Sequence, residues 1–83
     1  MIHIKLPEED IKFLKDKFSS LQNQAAASGL TLNENGTFHG KGLEGKFSFT
    51  EDSLDVDITE KPFGVFDWMV KKHLLVILDD VLR

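Results

Sequence analysis

The chain lacks cysteine entirely, and none of its apolar runs is long. Without disulfides, apolar packing must stabilise the single small domain that we expect over residues 1–83. The absence of cysteine fits a reducing compartment, and the start Met-Ile-His-Ile-Lys-Leu has neither the cationic nor the long apolar region of a signal peptide. We therefore predict a cytoplasmic location. The longest apolar run is the five residues from Leu74 to Leu78, which is too short to span a membrane.

Cationic side chains are also few. The chain has 10 lysines and arginines against 14 aspartates and glutamates, a net charge of −4. Affinity for nucleic acid depends mainly on clustered lysines and arginines that contact phosphates. Here the lysines are dispersed and Arg83 is the single arginine. We expect no direct binding of nucleic acid.

The first third of the chain has the pattern of a strand followed by a helix. Ile2, Ile4 and Leu6 alternate with polar residues, as in a half-buried strand. Pro7 ends that alternation and suits the first position of a helix. One apolar stripe with spacings of three and four follows; it consists of Ile11, Leu14, Phe18, Leu21 and Ala25. With Gly29 as a left-handed C-cap, this spacing predicts one continuous helix over residues 7–28.

The middle of the chain changes to the period of β-strands. A three-residue loop from Glu34 to Gly36, with Gly36 left-handed, would pair Leu32 with Phe38. The segment Gly40-Lys41-Gly42 then separates two strands, and Glu51-Asp52 is a turn. Folding the chain about that turn gives a register in which apolar and charged patterns agree. The predicted pairs are Phe49 with Leu54, Phe47 with Val56, Gly45 with Ile58 and Lys46 with Asp57.

After Pro62 the helical period returns and predicts a helix over residues 62–82. Its main core stripe consists of Phe63, Phe66, Val70, Leu74, Ile77 and Val81. The element order is then β-α-β-β-β-β-α. This order predicts an α+β domain in which one curved antiparallel sheet has two helices on one face and solvent on the other.

No residue pattern indicates catalysis, a metal or a cofactor. The glycine-rich segment 39–45 lacks the spacing of a phosphate loop, and no serine sits in a nucleophile elbow. Asp55 and Asp57 share a strand face that we expect to point to water. The three histidines are scattered: we expect His3 to be solvated and His73 to be half-buried and hydrogen-bonded. We therefore predict that the protein is not an enzyme.

The last helix carries more apolar surface than one sheet requires. Thirteen of the 21 residues from 63 to 83 are large and apolar. Trp68, Leu75 and Leu82 recur at intervals of seven on a side separate from the core stripe, and Phe13 lies opposite the stripe of the first helix. Three interpretations remain open: a subunit interface, a wider core in which the helices pack together, and a surface for lipid or an external partner. Trp68, Leu75, Leu82 and Phe13 are the candidate association surface.

Three local strings resemble a known family. They are Met-Ile-His-Ile at the start, Phe-His-Gly-Lys-Gly-Leu-Glu-Gly at residues 38–45, and Asp-Val-Asp-Ile at residues 55–58. Together with the element order, they resemble small bacterial proteins of the polyhydroxyalkanoic acid system or granule region. The resemblance implies association with storage granules and supplies no catalytic residues. The same order resembles a single TATA-box-binding-type repeat, but the acidic strand face with Glu44, Asp55 and Asp57 argues against its DNA role.

From these features we predict a homodimeric scaffold or adaptor, with a lipid or granule surface as a further partner. The alternative is a small carrier of an apolar ligand, either lipid or acyl, held between the sheet and the last helix. The glycines at positions 40, 42 and 45 would supply the curvature that such a space requires.

Overall fold

The computed structural model describes residues 1–83 and has an α+β fold with five strands and three helices. The strands are β1 (Ile2–Lys5), β2 (Thr31–Leu32), β3 (Thr37–Gly40), β4 (Leu43–Phe49) and β5 (Ser53–Glu60). The helices are α1 (Glu8–Asp16), α2 (Phe18–Ala27) and α3 (Asp67–Leu82). Apart from a division of the first helix, this order is the predicted one.

All five strands form one antiparallel sheet in the order β1-β5-β4-β3-β2. The four pairs predicted between β4 and β5 are confirmed, as is the pair of Leu32 with Phe38. β1 completes the sheet beside β5, where Ile2 lies opposite Val56 and Ile4 opposite Leu54. The first and last strands of the chain are therefore neighbours.

Two glycines occupy positions where a side chain would strain the backbone or would not fit. Gly36 has a φ of +87°, and its N–H donates to the carbonyl of Asn33 at 3.1 Å, which confirms the left-handed three-residue loop. Gly45 lies next to a register irregularity in β4. A Cβ atom there would overlap the carbonyl oxygen of Asp57 and come within 2.7 Å of the Phe38 ring. The close approach of backbone and aromatic ring thus depends on glycine.

The continuous helix predicted over residues 7–28 is wrong in one respect. The chain leaves helical geometry at Lys17, whose φ and ψ are −110° and 38°, so α1 and α2 are separate helices. Beyond this break, Phe18 packs against Phe47 with ring centroids 5.8 Å apart. The predicted C-cap is confirmed, since Gly29 has a φ of +89°.

The helix predicted over residues 62–82 is also shorter in the structure. Pro62 to Phe66 form a loop in which Gly64 has a φ of +87° and the N–H of Val65 donates to the carbonyl of Pro62 at 3.2 Å. A left-handed residue cannot continue a right-handed helix, so α3 begins only at Asp67. Phe63 and Phe66, which were expected in the core stripe, are instead exposed.

The core lies between one face of the sheet and the three helices. Its buried cluster is Ile2, Ile4, Leu14, Leu21, Ala25, Leu30, Phe38, Leu54, Val56, Val70, Ile77 and Leu78. The opposite face of the sheet carries exposed polar residues such as His39, Lys46 and Asp57. None of the helices combines the length and the apolarity that crossing a bilayer requires.

Candidate association surface

Two of the predicted surface residues lie together on the outward side of α3. Trp68 is 65% exposed and Leu75 is 43% exposed, whereas Val70 and Ile77 on the inward side are buried. Seven residues make nearly two turns of an α-helix, so Trp68 and Leu75 lie one above the other. The structure thus exposes both side chains on the same side of α3.

The other two predicted residues have different surroundings. Leu82 is partly buried and packs against the core cluster, so its side chain is less exposed than that of Trp68. Phe13 is exposed on α1. The groove beside Trp68 is lined only by residues of α3, so Phe13 is not part of it.

The exposed patch extends beyond Trp68 and Leu75, the two residues at an interval of seven. Met69 and Val76 are also exposed, and Val76 retains more than half of its accessible surface. Together with Trp68, Lys72 and His73, they line an open groove of about 410 Å³. We refer to Trp68, Met69, Lys72, Leu75, Val76 and Asp79 as the outer α3 face. It combines apolar side chains with one cation and one anion.

His73 borders this face from the half-buried side of α3. Its Nε2 atom is covered and has no hydrogen-bond partner. The prediction of a half-buried histidine is confirmed, but the prediction of a hydrogen bond is wrong for this atom.

A second apolar feature, which was not predicted from the sequence pattern, precedes α3. Phe63 has a relative exposure of 106% and Phe66 of 57%. We refer to residues 61–66 as the aromatic loop. Lys61, the first residue of this loop, forms an ion pair with Asp67, the first residue of α3. The Nζ and Oδ1 atoms are 3.1 Å apart. The glycine at position 64 was the sequence signal that could have separated this loop from the helix.

The side-chain arrangement that most resembles a catalytic site lies on the polar face of the sheet. His3 Nδ1 lies 2.5 Å from Asp55 Oδ1, and the Ser53 hydroxyl donates to the same oxygen at 3.3 Å. Asp55 is therefore paired rather than simply solvated as expected, although His3 itself is exposed. Ser53 is only 1% exposed, so its hydroxyl cannot reach a substrate. The cluster joins β1 to β5, and no group of three potential ligands could hold a metal ion.

A small cavity lies between the sheet and the helices α2 and α3. It has a volume of about 30 Å³, close to the share of one water in the liquid, and only apolar residues line it. Phe47 and Phe49 separate it from an open groove of about 420 Å³ beside Lys15 and Phe18. Ligand pockets usually measure about 300–1,000 Å³, so this cavity cannot hold an acyl chain unless the helices move apart.

No family model, curated protein or solved structure matches this chain. The resemblance to granule-region proteins therefore stays a prediction. The exposed apolar side chains of α3 and of the aromatic loop are the features from which function can be argued.

Proposed function

We propose that this protein acts without catalysis, by association with a second copy of itself, as a scaffold or adaptor of the kind found among polyhydroxyalkanoate granule-region proteins. The observation that carries the proposal is the outer α3 face, where Trp68, Leu75 and Val76 are all exposed. Contiguous apolar surface of this kind marks interaction sites more often than isolated exposed residues do.

The charges of the outer α3 face favour a second copy as the partner. Lys72 and Asp79 lie about 5 Å along the axis on either side of the point midway between Leu75 and Val76, given the helical rise. If two α3 helices pack antiparallel about a two-fold axis at that point, each Lys72 faces Asp79 of the other copy. Leu75 and Val76 then meet at the axis. One patch is complementary to itself in both charge and hydrophobicity.

The energetics indicate a dimer of moderate affinity. A fully buried tryptophan covers up to about 250 Å², so covering the exposed two thirds of Trp68 contributes about 3–4 kcal/mol at about 25 cal/mol per Å². Part of that gain is offset by the loss of translational and rotational freedom on association. α3 is only about 24 Å long, so the interface is small for a permanent dimer. We expect a dissociation constant in the micromolar range.

Leu75→Glu tests this proposal. Leu75 lies at the centre of the outer α3 face and outside the buried side of the helix. A carboxylate there would be brought against its own copy across the two-fold axis, so we expect the dimer to become a folded monomer. Sedimentation equilibrium between about 1 and 100 μM measures the mass, and circular dichroism measures the retained fold.

Ala26→Glu is the matched control, because it places the same carboxylate at an exposed position of α2. The control should dimerise like the parent. A parent that is monomeric at about 100 μM would contradict the proposal. An unfolded Leu75→Glu variant would also contradict it, because Leu75 would then belong to a wider core of the monomer.

The apolar cavity favours a second candidate function, the carriage of a small apolar ligand. Its lining is wholly apolar, and the rings of Phe47 and Phe49 separate it from an open groove. The volume of about 30 Å³ requires that α3 move away from the sheet before a lipid can enter. Native mass spectrometry of the protein from cells distinguishes the two functions. A bound lipid mass supports the carrier, and a bare dimer mass supports association.

A further inference from the structure

The aromatic loop projects from the protein instead of covering it. Phe63 has no neighbour that shields it, as its full exposure shows. A Cβ atom built on Gly64 would find no other atom within 4 Å. The two residues therefore form a tip that stands clear of the folded body.

The base of this loop is fixed even though its tip is free. Pro62 lies against Gly42 so closely that a Cβ atom on Gly42 would come within 2.8 Å of the proline ring. Val65, between the two phenylalanines, packs against the core cluster. The ion pair of Lys61 with Asp67 closes the loop on the first turn of α3. Phe63 and Phe66 thus point away from the core while the residues around them are held.

The charge along residues 61–72, which comprise the loop and the first turns of α3, is opposite to that of the rest of the chain. Residues 61–72 contain three lysines, at positions 61, 71 and 72, and one acidic residue, Asp67. The remaining residues carry seven cationic and thirteen anionic side chains. The projecting aromatic tip therefore lies at the start of a lysine-rich stretch of an otherwise acidic protein, and Glu60, just before the loop, lies opposite Glu44 in the sheet.

We propose that the aromatic loop docks on the surface of an anionic lipid bilayer, with Phe63 and Phe66 at the boundary between headgroups and acyl chains. Aromatic side chains are favoured at that depth, and lysines near the surface are attracted to anionic headgroups. A fluid bilayer accepts a convex tip without a preformed pocket, whereas a protein partner needs a complementary cavity. The proposal does not depend on dimerisation, because the tip lies outside the outer α3 face.

Trp68, the only tryptophan of the chain, supplies an intrinsic probe two residues beyond Phe66. In the variant Leu75→Glu, where no second copy covers Trp68, its fluorescence should shift to shorter wavelength when vesicles of about equal parts phosphatidylcholine and phosphatidylglycerol are added. Vesicles of phosphatidylcholine alone should bind at least about tenfold more weakly, because Lys71 and Lys72 lose their anionic partners. Added salt should weaken binding to the anionic vesicles, since it screens the exposed charges.

The decisive variant is Phe63→Ser combined with Phe66→Ser. Both side chains are exposed, so the fold should be retained, which circular dichroism checks. We expect this variant to lose about 100-fold or more in vesicle affinity, measured by co-sedimentation, because two phenyl rings no longer enter the bilayer. Phe13→Ser removes an exposed phenyl ring from α1 and is the matched control, with binding like that of the parent.

Several outcomes would overturn the inference. The inference fails if the parent binds neither vesicle, or if the double variant binds as the parent does. If the double variant instead changed the sedimenting mass without any effect on vesicles, the loop would belong to a subunit contact. Co-sedimentation of Leu75→Glu with vesicles separates this inference from dimerisation, because a monomer should still bind through its own loop.

Discussion

Exchanging the two charges of the outer α3 face tests the antiparallel arrangement of the proposed dimer. In that arrangement Lys72→Glu replaces two attractive contacts, one at each end of the helix pair, by two repulsive ones. An exposed ion pair contributes about 0.2–1 kcal/mol, and a like-charge pair opposes association by a similar amount. The two symmetric contacts together therefore change the free energy of dimerisation by about 1–4 kcal/mol, which is about fivefold to 1,000-fold in the dissociation constant.

Asp79→Lys should weaken dimerisation by a similar factor, because it also replaces both attractive contacts with Lys72 by repulsive ones. It also removes the ion pair between Arg83 Nε and Asp79 Oδ1, 2.8 Å apart, but that pair is exposed and contributes little to the fold. The double variant Lys72→Glu/Asp79→Lys restores opposite charges across the axis, so its affinity should return close to that of the parent. This recovery distinguishes a direct contact from two independent losses.

Sedimentation equilibrium at about 50 mM salt is the appropriate assay, because higher salt screens exposed charges. Circular dichroism should show the same helix content in all four proteins. A parallel pairing would place like charges together in every variant and would give no recovery. The reasoning is refuted if the single variants dimerise like the parent, or if the double variant remains as weak as either single variant.

Three further predictions follow from the fold and the charge. Gly36→Val should lower the free energy of unfolding by about 1–2 kcal/mol, since a β-branched residue is strained at a φ of +87°; unchanged thermal stability would contradict the loop. Gly45→Leu should cost about 1–3 kcal/mol or more, because even its Cβ overlaps the Asp57 carbonyl; denaturant titration measures this, and a variant as stable as the parent would show that the site yields. At about 150 mM salt, gel-shift or fluorescence titration should detect no DNA binding tighter than about 100 μM; micromolar, salt-sensitive binding would refute the argument from charge.

The strand registers could be predicted from the sequence because alternation allows few solutions. Shifting β4 against β5 by one residue would turn Phe47 and Val56 to opposite faces of the sheet, so a one-residue slip would remove one of them from the core. The glycine at position 36 identified the loop in the same way. Local patterns were sufficient wherever both partners of a pair lay in one hairpin.

The break at Lys17 could not be predicted from the spacing. Leu14 and Phe18 keep the four-residue spacing of a continuous helix, since both helices present their apolar sides to the same core. Lys17 still donates its N–H to the carbonyl of Phe13 at 2.8 Å, and its φ of −110° is open to any residue. Neither glycine nor proline marks the position.

The candidate surface was predicted in part. The interval of seven identified Trp68 and Leu75, but it also selected Leu82, which the end of α3 brings against the core. The spacing of Phe63 and Phe66 fits the helical stripe, but the turn at Gly64 directs both side chains to solvent. The contact of His3 with Asp55 depends on β1 lying beside β5, and no local pattern specifies that neighbour.

The edges of the sheet limit how this protein can assemble. One edge is β2, which has only two residues, and the other is β1, which has four and carries His3 and Lys5 on its polar face. Strands this short, one of them bearing charge, give an incoming chain few backbone groups to hydrogen-bond. Growth of the sheet by strand addition, and the fibrillar aggregation to which it leads, are therefore disfavoured. The self-association that we propose would therefore use side chains of the helices, where we expect a single substitution to abolish it.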